Sequence, residues 1–303
     1  MHQKTDIKPY LAGVVFAFMV GFSFLGIKVC INYANPLDIL AHRYNFAFLA
    51  ILVFVALRFG KIKLKGKPKK KLIITCGAYV MFMVFQTIGL VYSASIEAAI
   101  MFAIIPVLVQ IMAVIFLKEK ATTLQNIFVI TVVGALIYMI IMGAGELHFS
   151  PLGTALLMLS SISMSINNVM MRYVRGVYTP FEITAATSIM GFVVFNIAAL
   201  AVCIYTGEFQ SYLAPLMHIE FILAAAYLGI CCILFSLLLM AYMQAHMPAV
   251  NASIFGNVST AISIVAGAVI LGEELRYYHI ICTAIIIAGV IGGNVLKNKE
   301  KSS

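Results

Sequence analysis

Residues 97–120, EAAIMFAIIPVLVQIMAVIFLKEK, have a counterpart 154 positions later in residues 251–274, NASIFGNVSTAISIVAGAVILGEE. In both copies a polar residue, Glu97 or Asn251, precedes about twenty small and apolar residues. Both copies close on leucine, one further residue and glutamate, at positions 117–119 and 271–273. A helix of this length covers roughly 30 Å, the thickness of the hydrocarbon layer of a bilayer. The duplication therefore predicts a membrane protein built from two similar halves.

Composition supports the membrane assignment. The 303 residues are 63% hydrophobic and 10% charged, with a mean hydropathy of +1.06. Soluble domains carry about 25% charged residues, so this chain lacks the polar surface to cover a soluble core. We assign the net charge of +9 to loops that face the cytoplasm and anionic lipid, and we expect no nucleic-acid partner. The six cysteines lie in apolar runs without a C-x-x-C pair, which indicates apolar packing rather than disulfides or zinc ligands.

Ten apolar runs are long enough to cross a bilayer, and we number them spans 1 to 10. They cover residues 9–31, 37–57, 72–92, 95–117, 124–143, 151–173, 180–205, 218–241, 247–271 and 277–296. The first run is longer than the apolar core of a signal peptide and no A-x-A site follows it, so we expect it to be retained. We predict one repeat of five helices over residues 9–143 and a second over 151–296, separated by the short polar loop 145–151.

Basic residues predict the orientation of the spans. If the loops alternate between two sides, seventeen of the twenty Lys and Arg residues fall on one side and only Arg276 on the other. The remaining two, Lys28 and Arg43, lie inside spans. The positive-inside rule then places both termini in the cytoplasm, and we call the opposite side the outer side. Because each half has an odd number of spans, the halves are predicted to cross the membrane in opposite directions, with a solute site between them near the midplane.

The residues also resemble a known family. Residues 21–44, GFSFLGIKVCINYANPLDILAHRY, and residues 89–120 are similar to the first repeat of EamA-type transporters of the drug/metabolite transporter superfamily. Residues 158–174, MLSSISMSINNVMMRYV, and residues 251–274 resemble the second repeat. The resemblance covers roughly residues 9–296. It implies an all-α membrane protein whose ten transmembrane helices form two inverted five-helix EamA repeats around a central cavity.

The same resemblance implies a function. We expect a multi-pass transporter of the plasma or inner membrane that exports a small organic metabolite, an amino acid or a related compound. Because family members carry quite different solutes, the substrate itself stays open. The resemblance also implies a basic residue at the end of span 1 and an arginine in span 2, which are matched by Lys28 and Arg43. Glu97 departs from the small residue that is usual at its position.

Three charged residues inside spans are candidate solute-binding residues, because a charge in the bilayer costs several kcal/mol. Arg43 is suited to clamp a carboxylate or phosphate of the substrate, or to form an internal ion pair. Glu97 is suited to carry a proton or bind a cation, or to stabilise a helix N-terminus that faces outer water. Lys28 is suited to bind solute, or to extend to the outer interface. The sequence leaves these alternatives open.

Neutral polar residues provide further candidates in both halves. Span 9 repeats polar side chains along one face at Ser253, Asn257 and Thr260, and Gln86 and Asn167 lie in spans 3 and 6. Such residues are suited either to hydrogen-bond a solute or to let transmembrane helices pack closely.

The chain carries no motif of a hydrolase, a metalloprotease or a phosphate-binding loop, so we expect no enzyme activity, no cofactor and no metal. The expected partners are a small-molecule substrate, membrane lipids and, if Glu97 couples transport, a proton. Small residues at 284, 288 and 292 favour close helix packing or a homodimer. We predict transport by alternating access. Proton antiport, uncoupled facilitated movement and exchange are the alternatives for its coupling mode. The alternative is a lipid-handling or structural membrane protein that carries no soluble solute.

Overall fold

The computed structural model describes residues 7–117, 150–174, 176–246, 249–285 and 287–288, and also 127, 130, 131, 133–135, 137, 138, 141 and 142. All regular structure in these residues is helical, as expected for an all-α membrane protein. Six of the helices are long and apolar enough to cross a bilayer. Span 5 and the later part of span 10 lie largely outside the described residues, so the total of ten helices stays a prediction.

The described helices follow spans 1–4 and 6–9. Their bounds are Lys8–Gly21 and Ser23–Ile31 in span 1, Pro36–Ala56 in span 2, Lys69–Tyr92 in span 3, Ser95–Ala103 and Ile105–Leu117 in span 4, Pro151–Val174 in span 6, Pro180–Thr206 in span 7, and Ala249–Ile270 in span 9. Span 8 consists of Ile219–Ala226, a π-helical segment Tyr227–Phe235 and Ser236–His246. A short helix Phe209–Leu213 and a 3-10 turn Ala214–Met217 precede it, and residues 277–285 of span 10 are also helical.

Spans 2 and 7 begin with equivalent caps, which reflects the duplication. The Asn35 side chain accepts a hydrogen bond from the backbone N–H of Asp38 at 3.0 Å, and a proline follows it. Thr179 and Glu182 form a reciprocal capping box, again with a proline at the start of the helix. In each case the side chain satisfies an N–H that the first helical turn leaves without a partner.

Two of the spans are broken near their middle, and the other half of the chain supplies partners for the backbone at each break. In span 1, the hydroxyl of Tyr227 donates to the carbonyl of Met19 at 2.5 Å, and Ser263 donates to Gly21 at 2.7 Å. In span 4, which contains Pro106 just after its break, Ser161 of span 6 donates to a carbonyl at 3.0 Å. Non-helical backbone inside a membrane requires such partners. Hydrogen bonds between the two halves therefore stabilise both breaks.

The packing of the spans has a two-fold pattern. Span 6 packs against spans 3 and 4 of the first half, and span 1 packs against spans 8 and 9 of the second half. Spans 2 and 7 pack against each other, as do spans 4 and 9. Under the repeat numbering, span 1 corresponds to span 6, span 3 to span 8 and span 4 to span 9. Each contact between the halves therefore has its expected counterpart.

The surface around the circumference of the helix bundle is apolar. Large hydrophobic side chains are exposed along several spans, including Phe18, Leu49, Ile197 and Val265. A soluble monomer rarely exposes so many large apolar residues on continuous helix faces, because each of them is more stable away from water. Lipid chains are the solvent that this surface fits.

On the predicted cytoplasmic side, the lysine-rich loop of the first half is held by the second half. The Glu182 carboxylate is 2% exposed and accepts hydrogen bonds from Lys67 Nζ at 2.7 Å and from the backbone N–H of Lys63 at 3.1 Å. The hydroxyl of Tyr178 donates to the carbonyl of Pro68 at 3.0 Å. Glu182 thus caps its own helix and fixes the loop at the same time.

On the outer side, the connection between spans 7 and 8 folds back onto span 2. The ring of Tyr212 stacks on His42 with 4.4 Å between ring centroids, and its hydroxyl donates to Asn196 at 3.0 Å. Asn45 donates to the same hydroxyl at 3.0 Å. These contacts place Tyr212 over the outer ends of spans 2 and 7.

Candidate functional site

Arg43 lies about 10 Å along the helix of span 2 and is 1% exposed. Its Nε and Nη1 atoms have no hydrogen-bond partner among the described residues. The ion pairs found in the described part of the chain, Lys67–Glu182 and Arg276–Glu274, do not include it. A guanidinium is always charged and has five N–H donors, so leaving it buried without an anion costs several kcal/mol. A charged group placed this way is suited to bind an anion.

The surroundings of Arg43 come from both halves. Cys30 of span 1, Tyr79 of span 3 and Cys232 of span 8 lie within the range of electrostatic interaction with its guanidinium. The backbone of Arg43 packs directly on Gly229, where a Cβ atom would clash with the Arg43 carbonyl oxygen. Gly229 and Cys232 belong to the π-helical segment, a distortion that is common at functional sites. Arg43 thus lies at the boundary between the halves, beside an irregular helix.

A chain of buried polar groups leads from this site toward the cytoplasmic side. Tyr44 lies within electrostatic range of Tyr79 and Cys76, and the hydroxyl of Thr187 donates to Cys76 Sγ at 3.3 Å. One residue before Cys76, the carbonyl of Thr75 accepts a hydrogen bond from Asn167 Nδ2 at 2.8 Å. Three buried atoms along this chain lack a partner among the described residues: Tyr44 Oη, Ser188 Oγ and Asn167 Oδ1. Buried polar atoms of this kind normally bind ordered water.

Lys28 lies in a second polar cluster at the outer ends of spans 1, 3 and 4. Its Nζ donates to the carbonyls of Leu90 at 2.8 Å and Ser93 at 2.6 Å. The ammonium therefore binds the last carbonyls of the span 3 helix, where a cation is also favoured by the helix dipole. Lys28 neither contacts Arg43 through a described hydrogen bond nor extends freely to the interface.

Glu273 joins the two halves in the same outer cluster. Its carboxylate accepts hydrogen bonds from the backbone N–H of Ser95 at 2.8 Å and of Ile96 at 3.0 Å. It therefore caps the N-terminus of the first helix of span 4 from the opposite half. Glu97 is partly buried beside it, and its electrostatic partners are Lys28 and Glu273. The Oε2 atom of Glu97 has no hydrogen-bond partner among the described residues.

No described hydrogen bond joins Gln86, Asn167 or Thr260 to Arg43. Thr260 donates to the carbonyl of Gly256 in its own helix at 3.3 Å, and Gln86 is 4% exposed in span 3. Asn167 uses its amide to hold span 3, as described above. The side chains of Ser253 and Asn257 lie outside the described part of the structure. Of the eight residues suggested by the sequence, Lys28 and Glu97 share the outer cluster, whereas Arg43 occupies the central site.

Sequence reasoning missed several residues that the structure places at these sites. Tyr79, Cys30 and Cys232 were not candidates, because isolated tyrosines and cysteines in apolar runs are usually packing residues. Glu273 was noted as the closing residue of the duplicated motif, but its helix partner lies 178 positions away. The duplication itself was the available signal, since it marked this glutamate twice.

The comparisons with known proteins agree with this architecture. The family described as "EamA-like transporter family" matches residues 7–141 and 151–294. A Bacillus subtilis (strain 168) protein named "Uncharacterized transporter YcxC" is 35% identical over 100% of this chain and 96% of its own length. An Archaeoglobus fulgidus protein named "Uncharacterized transporter" is 24% identical, over 89% of this chain and 92% of its own. A solved crystal structure with 15% identity covers 96% of this chain and 98% of its own, with a TM-score of 0.68, which supports the fold alone.

Proposed function

Because this chain belongs to the EamA-like transporter family, we propose that it exports a small organic metabolite with an acid group, an amino acid or a related compound, by alternating access. One observation supports the proposal that the substrate has an acid group. Arg43 is a buried guanidinium at the boundary between the halves, and Nε and Nη1 have no partner among the described residues. Its planar fork matches the geometry of a carboxylate or a phosphate.

The arrangement of the halves supports the proposed alternating access. In this mechanism two inverted repeats rock around a site near the membrane midplane. The two-fold packing of the spans and the breaks in spans 1 and 4 are compatible with this motion. Glu273 holds the halves together at the outer side, and Lys67 with Glu182 holds them at the cytoplasmic side. In the proposed cycle these two sets of contacts open in turn. The plasma or inner membrane and cytoplasmic termini are part of the same proposal.

A metabolite-efflux screen tests this function. Cells that produce the wild-type chain are compared with cells that produce Arg43→Ala at the same membrane abundance. The function predicts that at least one small acid accumulates outside the cells with the wild type and not with the variant. Equal efflux of every measured metabolite from the two strains would contradict it.

Proton coupling through Glu97 is a separate hypothesis about the driving force. It predicts that Glu97→Gln abolishes the solute uptake that a pH gradient drives in proteoliposomes. We expect unchanged flux instead, because Glu97 interacts with Lys28 and Glu273 in the outer cluster and has no described contact with Arg43. The measurement is the initial rate of solute uptake with and without the gradient. A gradient-dependent rate that disappears in the variant would establish the proton as a partner.

Lipid handling is the second candidate, and one feature favours it. An apolar groove of about 380 Å³ runs along spans 1 and 9 and is lined by Phe18, Phe22, Val258, Ile262, Val265 and Ala266 among others. Such a groove fits an acyl chain. A lipid carrier would move fluorescent phospholipid between the leaflets of proteoliposomes, independently of Arg43. We expect no such movement above that of protein-free vesicles.

A further inference from the structure

Transport at Arg43 raises the question of what neutralises its charge when no substrate is bound. We propose that the protein is an obligate anion exchanger, in which Arg43 holds an anion during every step that reorients the two halves. The outward movement of one acid then requires the inward movement of another. This inference rests on the proposed function, and it adds the counter-substrate and the rule that couples the two fluxes.

The first step concerns the acids of the chain itself. An empty carrier reorients freely when an internal carboxylate moves in to pair with the cation. Neither of the two acids near the outer ends of spans 2 and 4 has a described contact with Arg43. Asp38 accepts a hydrogen bond from Asn35 Nδ2 at 2.7 Å and interacts with His42. Glu97 interacts with Lys28 and Glu273.

The other acids lie away from the site. Glu182 binds Lys67 on the cytoplasmic side, and Glu274 pairs with Arg276 on the outer side. The rest fall in the chain ends, in predicted loops or at the start of span 8, at positions 6, 119, 146, 208, 220 and 300. The titratable groups that the structure describes around Arg43 are therefore thiols and phenols, which carry no charge. A bound anion is the remaining source of negative charge.

The second step concerns the occluded state of the transport cycle. Between the inward-open and outward-open forms, both sides of the site are closed and bulk water does not reach the guanidinium. A buried charge that keeps its anion is compensated, whereas a bare one carries the full cost of desolvation. The occupied carrier therefore passes this state much faster than the empty one. The same reasoning makes the return step depend on a second anion.

The surroundings also limit the chemistry of the counter-anion. Arg43 is the only cation that the described residues place at the site, and no described carboxylate is there to bind an ammonium group. A counter-anion with one acid group on an uncharged body, such as a simple carboxylate, fits these surroundings. Inorganic phosphate shares the bidentate geometry.

Exchange is tested with purified protein in proteoliposomes and with radiolabelled pyruvate and phosphate as probes. One set of vesicles contains the unlabelled probe, and the other contains only zwitterionic buffer. We expect uptake of at least one probe into loaded vesicles to be at least about 30-fold faster than into empty ones, a ratio that corresponds to about 2 kcal/mol. The Arg43→Gln variant is expected to slow uptake into loaded vesicles at least about 30-fold. Arg58→Gln, which changes an exposed arginine, behaves as the wild type.

The outcomes separate the two proposals. Equal uptake into loaded and empty vesicles, lost in Arg43→Gln, overturns obligate exchange and leaves acid transport intact. Uptake that is insensitive to Arg43→Gln overturns the proposed binding site as well.

A second measurement does not depend on the choice of transported probe. The apparent Tm of the detergent-solubilised protein is measured in anion-depleted zwitterionic buffer and again after addition of pyruvate or phosphate. Because the wild type then carries an unpaired buried charge, we expect its Tm to lie below that of Arg43→Gln in depleted buffer and to rise with added anion. A wild-type Tm that does not respond to either anion overturns the proposal.

Discussion

Replacing Arg43 with glutamine is expected to slow solute transport by a factor of about 30 to 1,000, which corresponds to a loss of about 2 to 4 kcal/mol of binding. The physical reason is the loss of a buried, charge-assisted hydrogen bond to the acid group of the solute. Glutamine keeps a polar amide of smaller size at a site where Arg43 is 1% exposed. The measurement is the initial rate of uptake by proteoliposomes that contain equal amounts of folded protein.

Two further variants sharpen this test. Arg43→Lys keeps the positive charge but loses the planar fork, so we expect an intermediate rate and weaker discrimination between carboxylate and phosphate. Arg58→Gln makes the same chemical change at an exposed residue of the cytoplasmic loop and should leave the rate unchanged. If Arg43→Gln transports at the wild-type rate, the buried guanidinium is a structural residue and the solute binds elsewhere.

Removing the Glu273 carboxylate is expected to produce the largest loss of thermal stability among single changes at the outer cluster. Glu273→Ala deletes two hydrogen bonds, of 2.8 and 3.0 Å, to the N-terminus of the span 4 helix. Hydrogen bonds to a charged group contribute about 1.5 to 3 kcal/mol each, so we expect the apparent Tm to fall by about 5 °C or more. The Tm is measured with a fluorogenic maleimide, which reacts with the six cysteines as heating exposes them. All six are free thiols.

The neighbouring glutamate is the matched control. Glu274 pairs with Arg276 on the surface, and its side chain is 75% exposed. Exposed ion pairs of this kind contribute about 0 to 1 kcal/mol, so Glu274→Ala should leave the Tm nearly unchanged. Equal Tm values for Glu273→Ala and Glu274→Ala would show that the contact between the halves contributes little to the stability of the protein.

Much of the fold was predictable from local sequence patterns. The apolar runs gave eight of the spans that the structure describes, because membrane helices need long apolar stretches and little else. Residues 35–38, NPLD, and 179–182, TPFE, share a helix-capping pattern in the sequence, and both segments cap a helix in the structure. Arg43 was identifiable as a candidate because a charge inside a membrane-spanning helix is costly, whatever the position of that helix in the fold.

Other features depend on contacts between distant residues and left little trace in the sequence. The break in span 1 is stabilised by Tyr227 and Ser263, which are more than 200 positions away from the carbonyls they bind. The π-helical segment beside Arg43 contains no proline to announce it. Solute binding by Lys28 stays a prediction, and the sequence did not reveal its carbonyl partners, which lie 62 and 65 positions further along. Local periodicity carries no information about such pairs.

The most direct test of the account uses Cys232, which lies beside Arg43 in the centre of span 8. In a variant whose other five cysteines are replaced by serine, a membrane-impermeant thiol reagent is applied separately to each face of oriented vesicles. A single site that alternates between the two sides predicts labelling of Cys232 from both faces, slowed by the transported acid. A variant that keeps only the buried Cys282 is the control and should be labelled from neither face. Labelling of Cys232 from one face alone, or from neither, would contradict the central claim that the two halves enclose one alternately accessible site.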